Sequence, residues 1–267
     1  MTLTKIFVYI YTFLTCKYIM QSRVPNYSRN ITLDKCIEET QIHREIVKKM
    51  MSIFSNKLKK ILKKDKTNAR IQPKKLQDLV GRVCEDVATV LEEENYNQNK
   101  KRYGDLPNEL ANVCENTFND IKNSLCWKLC KGITHKQYKS LVMEVFLNKL
   151  NKLWEDHDKD KETLPNLEIY TRLLNTPKDK HLHKEWTETH NYNNTHHVEW
   201  FLKCKKPKLQ YLVEMVCDNV ASAMTRNAKY KDIFHENKER YISKWLPESL
   251  AEICTNTFVD LWNTIHF

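Results

Sequence analysis

Two stretches of this chain are near-copies of each other, and any fold proposed for one must serve the other. Lys75 to Val87 reads KLQDLVGRVCEDV and Lys208 to Val220 reads KLQYLVEMVCDNV. Further on, Asn99 to Phe118 (NKKRYGDLPNELANVCENTF) matches Asn237 to Phe258 (NKERYISKWLPESLAEICTNTF). Upstream, His43 to Leu62 parallels His135 to Trp154, with Phe54/Phe146, Asn56/Asn148 and Leu58/Leu150 in register. The pattern reads as a tandem duplication.

The repeated segments have helical periodicity. Tyr138, Leu141, Val142, Val145, Phe146, Leu150, Leu153 and Trp154 recur at three- and four-residue spacing, as do Leu209, Leu212, Val213, Val216, Val220 and Met224. Leu246-Pro247-Glu248-Ser249 reads as a helix entry, with Leu250, Ile253, Cys254, Phe258 and Leu261 as the buried face that follows. Only 3 Gly and 7 Pro among 267 residues leave little turn chemistry, and no hairpin signal stands out. The expected fold is all-α, made of two tandem helical repeats. Their boundaries are set at 31–130 and 131–267, after an apolar N-terminal segment at 1–22.

The copies are unequal. Residues 155–207 separate the upstream helix from the KLQ helix in the second copy, against 63–74 in the first. That insert holds His157, Asp158, His181, His183, His190, His196 and His197. The candidate chemistry therefore concentrates in one copy. Imidazole and carboxylate are the donors that suit Mn, Fe, Ni or Zn, and His135, His157-Asp158 and Asp218 offer such a set. Adjacent residues on a helix point about 100° apart, so a His-Asp doublet reaches one ion only near a helix end or bend.

The order histidine, His-Asp doublet, aspartate resembles the HD superfamily of metal-dependent phosphohydrolases. The likeness narrows to a branch of unknown function found in bacteria and phages. Its features read here as His157-Asp158-Lys159-Asp160-Lys161, Glu168, Tyr170, Asn194-Thr195-His196-His197, Glu214-Met215-Val216-Cys217-Asp218, Asn237-Lys238-Glu239-Arg240-Tyr241 and Asn256-Thr257. The resemblance implies metal ligation by His135, His157, Asp158 and Asp218. It makes His190, His196 and His197 further ligands or phosphate contacts, and sets Lys161 near substrate oxygens. The implied activity is hydrolysis of a phosphorylated small molecule or nucleotide, with a divalent transition metal as cofactor. Two positions depart from the branch's pattern: Asp160 replaces a small residue, and Val198 replaces the proline after the double histidine. In the first copy His43 survives, Glu85 replaces the aspartate and the doublet is gone, so that copy is expected to serve in packing.

Plainer readings stand beside these. Asp218 lies almost opposite the apolar stripe of its helix, which predicts exposure to solvent. Lys161 reads as a solvated lysine, and Trp186, Trp200 and Phe201 as packing beneath the insert. A non-enzymatic helical interaction protein is the alternative to a hydrolase. The net charge of +10 also admits nucleic acid, but the basic runs carry no aromatic interleaving.

Ile6 to Cys16 is too short an apolar run to span a bilayer. It suits a signal peptide over 1–22, which would make Asn26 and Asn30 glycosylation sites. It equally suits a buried N-terminal element of a cytoplasmic protein. Cys84/Cys217 and Cys114/Cys254 match between copies, as paired core thiols or, in a secreted chain, as equivalent disulfides Cys84–Cys114 and Cys217–Cys254.

Overall fold

A computed structural model describes residues 30–62, 72–92, 102–125, 133–225 and 246–266. The apolar run at Ile6, the Asn26 sequon, Cys16, Cys126, Cys130 and the Asn237–Tyr241 segment lie outside them. The described residues are helical and contain no strand. The chain is all-α. Four helices precede the insert region: α1 (Leu33–Leu62), α2 (Leu76–Glu92), α3 (Asn108–Ser124) and α4 (His135–Asp156). A 3-10 turn (Lys159–Glu162), α5 (Asn166–Asn175), α6 (Lys180–Trp186), a π turn (Thr187–Asn191) and α7 (Val198–Lys203) make up the insert. The KLQ helix α8 (Leu209–Thr225) and the terminal α9 (Glu248–His266) close the order. None of the described helices is long and apolar enough to cross a membrane.

The helices begin where their sequences say they should. Thr134 and Gln137 form a reciprocal capping box at the start of α4: the Gln137 side chain accepts from the Thr134 amide at 2.7 Å. Pro107 and Pro247 stand just before α3 and α9, and their carbonyls accept from Ala111 at 2.9 Å and Ala251 at 2.9 Å. The predicted stripes are buried. Val142, Phe146 and Leu150 of α4 are sealed from solvent, as are Leu209, Leu212, Val213, Val216 and Val220 of α8. One apolar cluster draws on α1 and α2 as well as α4, α8 and α9, so both halves of the chain share it.

The halves also exchange polar contacts, and these join residues that the sequence comparison puts in register. Thr117 Oγ1 accepts from the Leu209 amide at 2.9 Å, and Thr257 Oγ1 accepts from the Leu76 amide at 2.8 Å. Asn116 donates to the Pro207 carbonyl at 3.1 Å, and Asn256 donates to the Lys74 carbonyl at 3.1 Å. Asp120 takes Lys208 at 2.7 Å and Lys149 at 3.1 Å, while Asp260 takes Lys75 at 2.7 Å and Lys57 at 2.8 Å. Each KLQ helix is thus capped at its start by the other half's terminal helix. The first amides of a helix lack partners within it, and a buried one left unpaired costs about 1–3 kcal/mol. Thr117→Val and Thr257→Val keep the shape and remove the acceptor. Each is expected to destabilise the protein by about 1–3 kcal/mol in urea titration, and the two losses should be similar.

Among the described cysteines, Cys36, Cys84, Cys114, Cys204, Cys217 and Cys254 are free thiols, so neither the Cys84–Cys114 nor the Cys217–Cys254 bridge is formed. Burial pushes the thiols of Cys84, Cys114 and Cys254 up to about 12, which holds them protonated and unreactive in the core.

Candidate metal centre

The His-Asp doublet stands at the end of α4. His157 is the last residue to bond back into the helix, its amide donating to the Trp154 carbonyl at 3.1 Å. Asp158 then takes the left-handed conformation, φ 56°, which a residue without glycine's freedom adopts only when its surroundings impose it. This reversal turns both side chains inward. The 3-10 turn that follows is pinned to α1, where Arg44 pairs with Glu162 at 2.9 Å and donates to the Glu155 carbonyl at 3.2 Å.

Four donor residues converge there: His43 from α1, His157 and Asp158 from the end of α4, and Asp218 from α8. Their ligand atoms all lie within 4.8 Å of one another. His43 Nε2 is 2.8 Å from Asp218 Oδ1 and 3.7 Å from Asp158 Oδ2. His157 Nε2 is 3.5 Å from Asp218 Oδ1 and 3.7 Å from Asp158 Oδ2. A cation with bonds of about 2.1 Å sets neighbouring donors about 3.0–3.4 Å apart, so these spacings are close to the edges of a coordination shell.

His135, expected in this set, is not part of it. Its Nε2 lies 2.8 Å from Glu85 Oε1 and its Nδ1 2.8 Å from Glu92 Oε2. The cause is the way the helices pair: α1 packs on α8 and α4 packs on α2. An imidazole at this point of α4 therefore meets the α2 carboxylate, and Asp218 on α8 meets His43, the residue in register with His135. The two contacts mirror each other, His43–Asp218 and His135–Glu85, both at 2.8 Å. Beside Glu85 the counterpart place holds Lys139, whose ammonium is 2.7 Å from Glu85 Oε2. Asp218 lies in the set, as the motif order implies, and not in solvent, as its place opposite the stripe suggests. Its side chain is 15% exposed, not solvated, because α1 covers the side of α8 opposite the apolar stripe.

A second donor set lies against the other oxygen of Asp158. His196 Nε2 is 3.3 Å and His190 Nε2 3.5 Å from Asp158 Oδ1, and ligand atoms of His190, His196 and His197 lie within 4.8 Å of one another. His181 and His183 stand apart, His183 Nε2 being 2.8 Å from the Pro177 carbonyl oxygen.

Carboxylates stand behind the imidazoles. Glu214, on α8 and 1% exposed, presents Oε1 3.1 Å from His157 Nδ1 and 3.7 Å from His196 Nδ1, and its Oε2 accepts from the Thr195 hydroxyl at 2.5 Å. Asp160 Oδ2 lies 2.7 Å from His190 Nδ1 and accepts from Asn166 at 2.7 Å and Asn194 at 3.0 Å. A carboxylate behind Nδ1 fixes the proton there and turns the Nε2 lone pair forward. The Nε2 atoms of His157, His190, His196 and His197 and Oδ1 of Asp158 are buried and have no hydrogen-bond partner. Buried polar atoms are rarely left so, and a concentration of them facing one place needs an explanation. Buried His, Asp and Glu side chains are gathered here in arrangements able to hold a metal ion.

Lys161 is drawn in as well, not solvated. Its ammonium is 2.7 Å from Asp158 Oδ2, 12% exposed, and lies over the rings of Tyr170 and Trp186 at 5.0 Å and 5.8 Å. Trp186 stacks on His190 at 4.1 Å, so it walls the centre from outside, and Phe201 is buried with the core. Burial by itself would raise the carboxyls of Asp158 and Asp218. Lys161, His157 and His196 hold Asp158 well below its usual value, and His157 and His43 do the same for Asp218. Burial works against a proton on His196, but Asp158 and Glu214 overcome it and raise that imidazole to about 10. At His190 burial prevails over Asp160 and lowers it to about 4.

Glu214 escaped the sequence reading as a contributor although its motif was in view. The available signal was its place one helical turn before Asp218, on the same side of α8. His43 was likewise visible as the one candidate donor surviving in the first copy.

Residues 127–257 match the model of a family of unknown function (DUF5662). The matched segment carries His157, Asp158, the loop histidines, Glu214 and Asp218, and leaves His43 outside. No curated protein and no solved structure matches the chain.

Proposed function

We propose that this chain is a metal-dependent phosphoester hydrolase of the HD type, acting on a phosphorylated small molecule such as a nucleotide. The supporting observation is the set of buried, unpartnered imidazole nitrogens facing Asp158 and Asp218. With His43 in first place, the order of donors along the chain is histidine, His157-Asp158 doublet, Asp218, which keeps the order of the HD superfamily.

His43, His157, Asp158 and Asp218 would hold a divalent ion, and the mixture of imidazole and carboxylate suits Mn, Fe, Ni or Zn. His190, His196 and His197 would hold a second ion on Oδ1 of Asp158. Such ions supply Lewis acidity and a water acidic enough to attack phosphorus near neutral pH. Glu214 and Asp160 keep His157 and His190 in the tautomer that presents Nε2. Trp186 and Tyr170 exclude bulk water from one side, and Lys161 gives a positive contact to phosphoryl oxygen.

The test is metal analysis of protein purified after Mn or Fe supplementation, with a release assay over nucleoside mono- and triphosphates. Stoichiometric metal and phosphate release abolished by chelation are the expected results. Protein without metal under these conditions overturns the proposal. A second reading has its own support. Around His135, Glu85 and Lys139 the same framework persists where the donors are missing, so it can be retained for packing alone. A helical scaffold of that kind would show no turnover with any phosphoester.

A further inference from the structure

Asp158 uses its two oxygens differently. Oδ1 faces Nε2 of His190 and His196, and nothing donates a hydrogen bond to it. Oδ2 faces Nε2 of His43 and His157, each at 3.7 Å, and at that same oxygen the Lys161 ammonium sits at 2.7 Å. A fixed positive charge therefore stands on the atom that the four-donor set needs for its cation. The contact is buried, with the carboxylate wholly hidden and the lysine 12% exposed.

The lysine backbone has no room to shift. Its amide donates to the Asp158 carbonyl at 3.0 Å, Glu162 is fastened to Arg44, and Asp160 is fastened to His190, Asn166 and Asn194. The side chain alone can move, on a flexible four-carbon stem. It already lies over Tyr170 and Trp186, whose π faces attract an ammonium that has left its carboxylate. Asp158, Asp218 and Glu214 meanwhile put three carboxylates into one largely buried cluster, where Lys161 is the lysine in contact.

We propose that Lys161 is a built-in counter-cation: it balances Asp158 before metal arrives, contests Oδ2 with the incoming divalent ion, and is then passed to an anionic group of the substrate. This rests on the cation-site reading above. It makes Lys161 a residue that trades metal affinity for anion affinity. Removing its charge strengthens the hold on metal and weakens the hold on phosphate.

The experiment titrates full-length apo protein with Mn2+ by calorimetry, for wild type, Lys161→Met and Lys161→Arg. Inorganic phosphate is then titrated into each Mn2+-loaded protein. Lys161→Met should bind Mn2+ about tenfold tighter or more, because a unit charge a few ångströms from a dication repels it strongly. It should bind phosphate about tenfold more weakly, and Lys161→Arg should behave as wild type in both. Melting curves supply a readout independent of affinity. Apo Lys161→Met should melt below wild type and gain more from Mn2+.

Equal or weaker Mn2+ binding by Lys161→Met, in protein that wild-type circular dichroism shows to be folded, overturns the proposal and leaves the cation site standing. Tighter Mn2+ binding with unchanged phosphate binding also overturns it, since the handover is then missing. Wild type that binds no Mn2+ removes the cation site, and this inference falls with it.

Discussion

Replacing His43 with alanine is expected to strip the protein of metal, while the same change at His135 leaves its metal content unaltered. In the proposed centre His43 would supply one of four donors, and its Nε2 lies 2.8 Å from Asp218 Oδ1. Its loss would leave His157, Asp158 and Asp218 to hold the ion. Removing even a residue behind a ligand lowers metal affinity about 10–100-fold, and removing the ligand itself should exceed that. His135 is about one-third exposed and pairs with Glu85 and Glu92, contacts of a kind that contribute about 0–1 kcal/mol. Metal content after exhaustive dialysis, by plasma mass spectrometry, separates the two variants. Metal lost from His135→Ala and kept by His43→Ala would restore the arrangement expected from sequence and sink the one described here.

The second large effect belongs to Glu214. Its carboxylate is buried, accepts from the Thr195 hydroxyl, holds His157 at 3.1 Å and lies 3.7 Å from His196 Nδ1. Glu214→Ala leaves His157 and the Thr195 hydroxyl without an acceptor, at about 1–3 kcal/mol for each. Against a total stability of about 5–15 kcal/mol, that is enough to unfold much of the protein at moderate temperature. Glu214→Gln is the gentler probe. An amide offers one oxygen where His157 and the Thr195 hydroxyl each use one, and its NH2 opposes the Nδ1–H that the carboxylate fixes. Metal affinity should fall about 10–100-fold while the fold survives. Wild-type affinity in a folded Glu214→Gln protein would show that the imidazoles are oriented by something else.

Much of this was legible in the sequence, and the exceptions have a common cause. The helices, their starts and their apolar faces follow from periodicity and capping, which are local. The position of the His157-Asp158 doublet at a helix end also followed, because no other place lets adjacent side chains share an ion. His135 was misplaced because register says which residues are equivalent, and cannot say which half an equivalent residue packs against. For Asp218 the apolar stripe pointed to solvent and the motif order pointed to the donor set, because a single stripe implies a single buried side. Helix α8 is covered nearly all round, with Glu214 and Gln210 buried beside the aliphatic residues. Lys161 looked like any lysine in a charged run. What draws it inward is Asp158, three residues earlier, turned by the left-handed backbone at φ 56°. The substitution of Asp160 for a small residue looked like a departure that could shift the loop. Its carboxylate instead braces His190 and two asparagines.

The crossed pairing of helices has a bearing on ownership of the centre. No contiguous half of this polypeptide contains all four donors, since the segment matched by the family model supplies the doublet and Asp218, and His43 arrives from outside it. Within that segment the histidine in register with His43 is His135, which pairs here with Glu85 and Glu92 of the other half. In this chain the ring of donors closes only across the two halves.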